Sequence, residues 1–148
     1  MSEHQVKVHW ERETEDFEYK TYNREHRWEF KNGLQVRASA AVNYLGKPDC
    51  VDPEEAFVAS LASCHMLTFL AFCALQKFIV NHYQDHAIGY LEKNASGKMA
   101  ITRVILKPSI EFGGERKPSP EELHQLHEKA HKECFIANSV TTQMEVEH

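Results

Sequence analysis

Glycine and proline are scarce, six and five among 148 residues, which is unlike a collagenous, linker-rich or disordered chain. Cysteine is scarcer still: Cys50, Cys64, Cys73 and Cys134 are too few and too widely spaced for a disulfide scaffold. No CxxC pair occurs, and no two-plus-two grouping with histidine of the kind that closes a tetrahedral zinc site, so structural zinc is not expected and no metal ligands are assigned. Positive charge is not in excess, with 17 Lys plus Arg against 22 Asp plus Glu and a net charge of -5. Such a chain has no basic field to hold polyphosphate, and nucleic acid is not an expected partner. The opening segment MSEHQVKVHWERETEDFEYK lacks the apolar stretch of a secretory signal and the acid-poor, Arg-rich character of a transit peptide, so a cytoplasmic location is expected.

What is present is enough for one core. Hydrophobic residues make up 42% and charged residues 26%, over a length that suits a single domain spanning residues 1–148. From Val6 to Ala40 apolar residues alternate: Val6, Val8 and Trp10, then Phe17 and Tyr19, Trp28 and Phe30, and Leu34, Val36 and Ala38. That period predicts strands. Asn32-Gly33 supplies the positive φ angles of a type I′ turn, so Arg24 to Ala40 reads as a hairpin in an N-terminal antiparallel sheet.

Asp52-Pro53-Glu54-Glu55 sets an N-cap acceptor, a first-turn proline and an N3 carboxylate in capping-box register, predicting a helix that runs to about Lys77. From Ala56 to Gln76 there is no Asp, Glu, Lys or Arg, a stretch long enough to span a bilayer. Ser60, Ser63, His65, Thr68 and Gln76 lower its hydrophobicity and no second span accompanies it. It therefore reads as a central helix wrapped by sheets, with no membrane partner. His86 to Glu92 and Met99 to Phe112 read as two strands around the turn Asn94-Ala95-Ser96-Gly97. Ser119-Pro120-Glu121-Glu122 repeats the capping pattern, and Leu123, Leu126, Ala130 and Cys134 follow at i, i+3, i+7 and i+11, which makes the second helix amphipathic and puts Cys134 on its buried side. On that helix His124, His127 and His131 read as a solvated face. A closing strand near Val140 to Val146 completes an α+β order of strands, helix, strands, helix, strand.

Taken alone, Cys64 in so apolar a helix packs as a small hydrophobe. Cys73, nine residues on, points about 180° away and reads as packing; Cys50, in a loop with Pro48 and Asp49, reads as a spectator. The case for chemistry comes from a constellation. Pro53-Glu54 followed ten residues on by Cys64 within FVASLASCHM, Cys134 within AHKECFIANS, and Tyr22-Asn23-Arg24-Glu25-His26 together resemble the OsmC/Ohr family, the osmotically inducible and organic hydroperoxide resistance proteins. The resemblance covers nearly the whole chain.

It implies an OsmC-like fold, antiparallel sheets packed around a long central apolar helix in an interlaced homodimer with active sites at the interface. It implies a thiol peroxidase acting on organic hydroperoxides, with Cys64 as peroxidatic cysteine, Cys134 as resolving cysteine, and Arg24 and Glu54 as the polar pair around the thiolate. The cycle so implied is attack by the Cys64 thiolate, giving a sulfenate and an alcohol, then a Cys64–Cys134 disulfide. No cofactor is bound; an external dithiol reductant, in the family commonly of the lipoyl type, reopens the disulfide. Each role has a physical reason. Thiolate cleaves the O–O bond, an unperturbed thiol of pKa about 8.5 is only a few per cent ionised at neutral pH, and a guanidinium stays cationic throughout the working range. Arg27 is a rival to Arg24, and Glu54 is equally accounted for as a first-turn carboxylate favoured by the helix dipole. On one straight helix Glu54 and Cys64 lie about 15 Å and about 80° apart, so the helix bends between them or the acid meets a thiol of another subunit.

The sequence departs from the family pattern at His26, where a small residue is common, at His65, where an aromatic is, and at Phe135, where proline is. Phe57, Leu61, Met66, Leu67, Phe135 and Ile136 are candidates to line a pocket for apolar hydroperoxides. Two other readings compete: a small-molecule binding protein of the same fold whose cysteines only pack, and a metal site built from His26, His65 and Cys64.

Overall fold

The computed structural model describes residues 1–148, which cluster into two compact units, Met1–Ala56 and Phe57–His148. The first unit holds a three-stranded antiparallel sheet in the order β1 (Lys7–His9), β2 (His26–Glu29), β3 (Gln35–Ala38). Trp28 stands opposite Val8 on one side and Val36 on the other, a cross-strand row of the kind that stabilises a sheet. The β2–β3 hairpin forms where the sequence places it. Asn32 and Gly33 have φ of 60° and 74°, both positive as a type I′ turn requires. The expected strand at Phe17 and Tyr19 does not form: the amides of Thr21 and Tyr22 both bond back to the Glu18 carbonyl at 3.0 Å. Phe17 instead packs at 5.8 Å from the Trp10 ring and 5.2 Å from the Tyr22 ring. Its spacing served an aromatic cluster and no strand.

Helix α1 (Pro53–Leu75) starts as the capping residues dictate, with Asp52 Oδ1 accepting the Glu55 N–H at 2.7 Å. It stops because Lys77 turns left-handed, φ 64°. The amides of Phe78 and Lys77 then bond to the carbonyls of Cys73 and Ala74 at 2.9 and 3.1 Å, a Schellman closure with Phe78 packed against Cys73. The second unit continues with β4 (Ile79–Asp85), β5 (Ile88–Lys93), β6 (Met99–Leu106), β7 (Pro108–Gly113), helix α2 (Pro120–Glu133) and β8 (Gln143–Val146). Strands β4 and β7 pair as one antiparallel sheet; β5, β6 and β8 form another in that order.

The strands of the second unit differ from the sequence reading in three places. The stretch Met99 to Phe112 is two strands in two sheets, broken at Lys107, whose N–H is held by Asp85 Oδ1 at 2.7 Å. Strand β4 was not anticipated, because a register shift between Val80 and His82 disrupts its alternation. The closing strand β8 runs parallel to β6, so one sheet is mixed where the sequence reading has antiparallel sheets.

Within α1 every fourth residue from Leu61 is buried: Leu61, His65, Phe69 and Cys73. Leu61 belongs to a cluster with Val104 and Leu106 of the β5–β6–β8 sheet. Phe69 and Cys73 belong to a second cluster with Leu126 and Ala130 of α2 and Phe78. The remaining apolar residues of α1 stay half-exposed or exposed, Leu67 at 62% and Leu75 at 77%. It is a helix long and apolar enough to cross a membrane, and the chain itself covers only a stripe of it.

Gly89 of β5 marks the closest approach of sheet to helix, since a Cβ there would lie 2.4 Å from Val58 Cγ2. Gly89→Ala is expected to lower the unfolding free energy by about 1–3 kcal/mol, the usual cost of overfilling a packed core. Val58→Ala in the same chain should recover much of that loss in a denaturant titration. An unchanged unfolding midpoint in the single variant would contradict this packing.

Candidate active site

Cys64 lies where the two cores meet, between Leu61 and Phe69 on α1. Its thiol is half-buried, while Cys134 is 1% exposed. Cys134 caps the C-terminal end of α2 in extended backbone, φ -68° and ψ 116°, and its sulfur accepts the Ala137 N–H at 3.4 Å. The fold brings these two thiols into side-chain contact. Burial pushes the Cys134 pKa up, a hydrogen bond to Cys64 and the Cys64 charge push it the same way, and the N–H groups of Ala137 and Ile136 oppose them. Burial and the neighbouring sulfur both favour the protonated form of Cys134. The two sulfurs thus sit in different surroundings: Cys64 is half-exposed, whereas Cys134 is buried and held protonated, with backbone N–H groups at its sulfur that favour its thiolate once formed.

The other cysteines lack this arrangement. Burial alone pushes Cys73 up to about 11. Cys50 is raised too, chiefly by burial, with Arg37 and Lys47 pulling against it. Both are buried thiols held in the protonated form.

Arg24 and Glu54 both belong to the first unit, and there they do not pair. The Arg24 guanidinium donates to the carbonyls of Tyr22, at 3.0 Å, and Tyr19, and lies 3.9 Å over the Tyr22 ring. It edges an open cavity of about 430 Å³ with Trp10, Phe17, Tyr22, His26 and Pro53 among its walls. Glu54 Oε2 is buried and has no hydrogen-bond partner. His26 is fully engaged: its Nδ1 meets the Arg24 carbonyl at 2.8 Å and its Nε2 accepts the Trp28 indole N–H at 3.1 Å, which fixes a neutral imidazole with the proton on Nδ1. Of the expected pocket residues, Leu61, Phe57 and Ile136 are spent on the core, whereas Phe135 is 80% exposed. No three His, Cys, Asp or Glu side chains are grouped as metal ligands.

One residue departs from its sequence reading. His127 is 2% exposed and does not belong to a solvated face of α2; His124 and His131 do. Its signal was present, because position 127 stands at i+4 from Leu123 and i-7 from Cys134, inside the apolar stripe. It meets the equally buried His65, Nε2 of His65 to Nδ1 of His127 at 3.0 Å.

The chain belongs to the OsmC-like protein family: the family's model matches residues 46–148. No curated protein compared with it matches in sequence. Among solved structures, an OsmC-like protein of unknown function from Vibrio cholerae is similar over 99% of both chains, with 46% identity and a TM-score of 0.96. An organic hydroperoxide resistance protein from Legionella pneumophila, described as a predicted redox protein, is similar over 99% of this chain and 95% of its own, with 18% identity and a TM-score of 0.72. Another, from Elizabethkingia anophelis and holding thiocyanate, is similar over 98% and 94%, with 19% identity and a TM-score of 0.69. The latter two likenesses speak for the fold.

The buried histidines set an acid limit on stability. Burial, the first cause, pushes His65 down to about 4 and His127 down to about 3. The neighbouring charges are other imidazoles: His131 and His148 act on His65, and His65, His148 and His124 on His127. Since both folded pKa values lie below the usual 6.5, the unfolded chain binds protons first. Stability should fall as pH drops below about 6.5 and keep falling towards pH 4 to 3, as denaturant melts at successive pH values will report. Replacing both histidines by leucine should flatten this acid limb relative to the parent; an identical slope would show that neither imidazole is held neutral.

Proposed function

We propose that the protein is a cysteine-based thiol peroxidase that reduces organic hydroperoxides to alcohols, acting as a cytoplasmic homodimer. The observation that carries this reading is the contact between a half-exposed Cys64 and a buried, proton-holding Cys134. Membership of the OsmC-like family supports it, as do relatives named for organic hydroperoxide resistance.

In the proposed cycle the Cys64 thiolate attacks the outer peroxide oxygen, the O–O bond breaks, and the departing alkoxide takes a proton to leave as the alcohol. Cys64 is then a sulfenic acid. The Cys134 sulfur attacks it, an S–S bond replaces the S–O bond, and hydroxide leaves as water with the proton Cys134 held. A dithiol from outside, of the lipoyl type in the family, reopens the disulfide by exchange. The N–H groups at the Cys134 sulfur favour its thiolate as nucleophile on closing and as leaving group on reopening.

Helix α1 is unbroken from Pro53 to Leu75, so Glu54 and Cys64 stand about 15 Å apart along it. A carboxylate and a guanidinium placed around a Cys64 thiolate, as Arg24 and Glu54 are in this reading, therefore call for a second copy of the chain. A second copy would also cover the exposed apolar side of α1 and give the buried Glu54 Oε2 a partner, and two-fold symmetry makes such a site twice over.

Stoichiometric cumene hydroperoxide added anaerobically should consume two thiols per chain and a dithiol should restore both. Cys134→Ser should lose one thiol only, and Cys64→Ser should consume peroxide at the background rate, at least about a hundredfold slower than the parent. Light scattering of the same samples should give twice the 17.1 kDa chain mass. Ligand binding with no loss of thiols would overturn the peroxidase reading in favour of a binding protein.

A further inference from the structure

The His65–His127 contact is better aligned than packing alone requires. The ring centroids are 5.3 Å apart and the planes only 4° from parallel. Nitrogens 3.0 Å apart, with a ring radius added at each end, account for that whole separation. The imidazoles therefore lie edge to edge in a common plane, not one above the other, and the N–H points along the facing lone pair, the favoured geometry for such a bond. One ring donates and the other accepts, so the acceptor is neutral, and burial, which lowers the pKa of both rings, keeps the donor neutral as well. The contact is also dry, at 1% and 2% exposure, with the buried Phe69 ring 4.4 Å from His127.

Its place in the fold is specific. His65 follows Cys64 directly on α1, and His127 precedes Cys134 by seven residues, two helical turns, on the same side of α2. The other contacts between the two helices are apolar, Phe69 and Cys73 against Leu126 and Ala130. Apolar attraction is non-directional and tolerates sliding or rotation of one helix on the other; an in-plane hydrogen bond tolerates neither. The remaining nitrogens, His65 Nδ1 and His127 Nε2, are buried without partners, so the pair is an expensive way to hold two helices together. A like-shaped apolar pair would hold them as well or better.

We propose that the His65–His127 hydrogen bond is a register pin: it fixes α1 against α2 at the height where the Cys64 and Cys134 sulfurs meet. Both are positioning residues for disulfide closure and have no part in the attack on peroxide. The timing within a catalytic cycle rests on the peroxidase reading above, but the pin itself concerns only the two thiols. In the step it controls, the Cys134 sulfur bonds to the sulfenic sulfur of Cys64, the S–O bond breaks, and hydroxide leaves as water with the thiol proton. Cys134 is oxidised and Cys64 reduced to the common disulfide level, with no outside electrons. Displacing reacting atoms by about 1 Å can cost about a hundredfold in rate, so a lost pin should register strongly.

The test compares the parent chain with His65→Leu/His127→Leu, which removes the bond without orphaning a nitrogen and should stay folded. It also includes His65→Gln and His127→Asn, whose amide groups reach the Nε2 and Nδ1 positions the bond uses. Two quantities are read: the Cys64–Cys134 disulfide equilibrium in a glutathione redox buffer without peroxide, and, after one equivalent of cumene hydroperoxide, first-thiol loss against the lifetime of a dimedone-trapped sulfenate. The double leucine variant should melt no lower than the parent at neutral pH and lose its first thiol within about twofold of the parent rate. It should close the disulfide at least about tenfold more slowly and hold it at least about tenfold more weakly. The Gln and Asn variants should recover both to within about threefold. Parent-like closure and equilibrium in the double leucine variant would overturn the pin, as would folded Gln and Asn variants no better than leucine. If the parent thiols ignore peroxide, the peroxidase reading falls, while the glutathione equilibrium still decides the pin.

Discussion

The structure turns on the meeting of two thiols that are remote in the chain. Burial, and after it the neighbouring Cys64, raises the Cys134 pKa and keeps that thiol protonated. One cysteine sits mid-helix on a rigid element and the other at a helix terminus, where the backbone has turned extended and free N–H groups point at its sulfur. Such an arrangement separates roles by environment: the half-exposed sulfur is open to solutes, and the buried one is closed to them but poised against its neighbour.

Helix α1 carries this arrangement at some cost to itself. Its buried stripe of Leu61, His65, Phe69 and Cys73 is one residue wide, with each half packed into a different core, β5–β6–β8 below Cys64 and α2 with β4–β7 above it. A helix free of charged side chains through its body, yet covered on so narrow a front, has more apolar surface than its own chain buries, which is the reason a second copy enters the functional proposal. The histidine pair falls on the same stripe, one residue along from Cys64, so a directional bond between the two helices stands beside the thiols.

Much of this was legible in the sequence because it was written in local chemistry. The Asp52-Pro53-Glu54-Glu55 and Ser119-Pro120-Glu121-Glu122 caps mark both helix starts, Asn32-Gly33 marks the hairpin turn, and the Leu123, Leu126, Ala130, Cys134 spacing puts the second cysteine inside. What was not legible depends on partners distant in the chain. The break at Lys107 is set by Asp85, the parallel placement of β8 by the edge that β6 offers, and the bulge in β4 hides its alternation. The burial of His127 was half visible: its position lay within the apolar stripe, but its residue type argued for solvent until His65 supplied a partner. Arg24 and Glu54 were identified by resemblance, and within the first unit Arg24 is engaged by carbonyls and tyrosine rings.

The most direct measurement is the titration of each thiol by NMR, with isotope-labelled cysteine Cβ as the reporter, in the parent and in Cys64→Ser. The account predicts that the Cys134 pKa lies above that of an ordinary thiol, and that removing Cys64 lowers it by deleting the neighbouring sulfur that helps hold the proton in place. A Cys134 that ionises as an ordinary thiol, or whose titration is indifferent to the loss of Cys64, would contradict it.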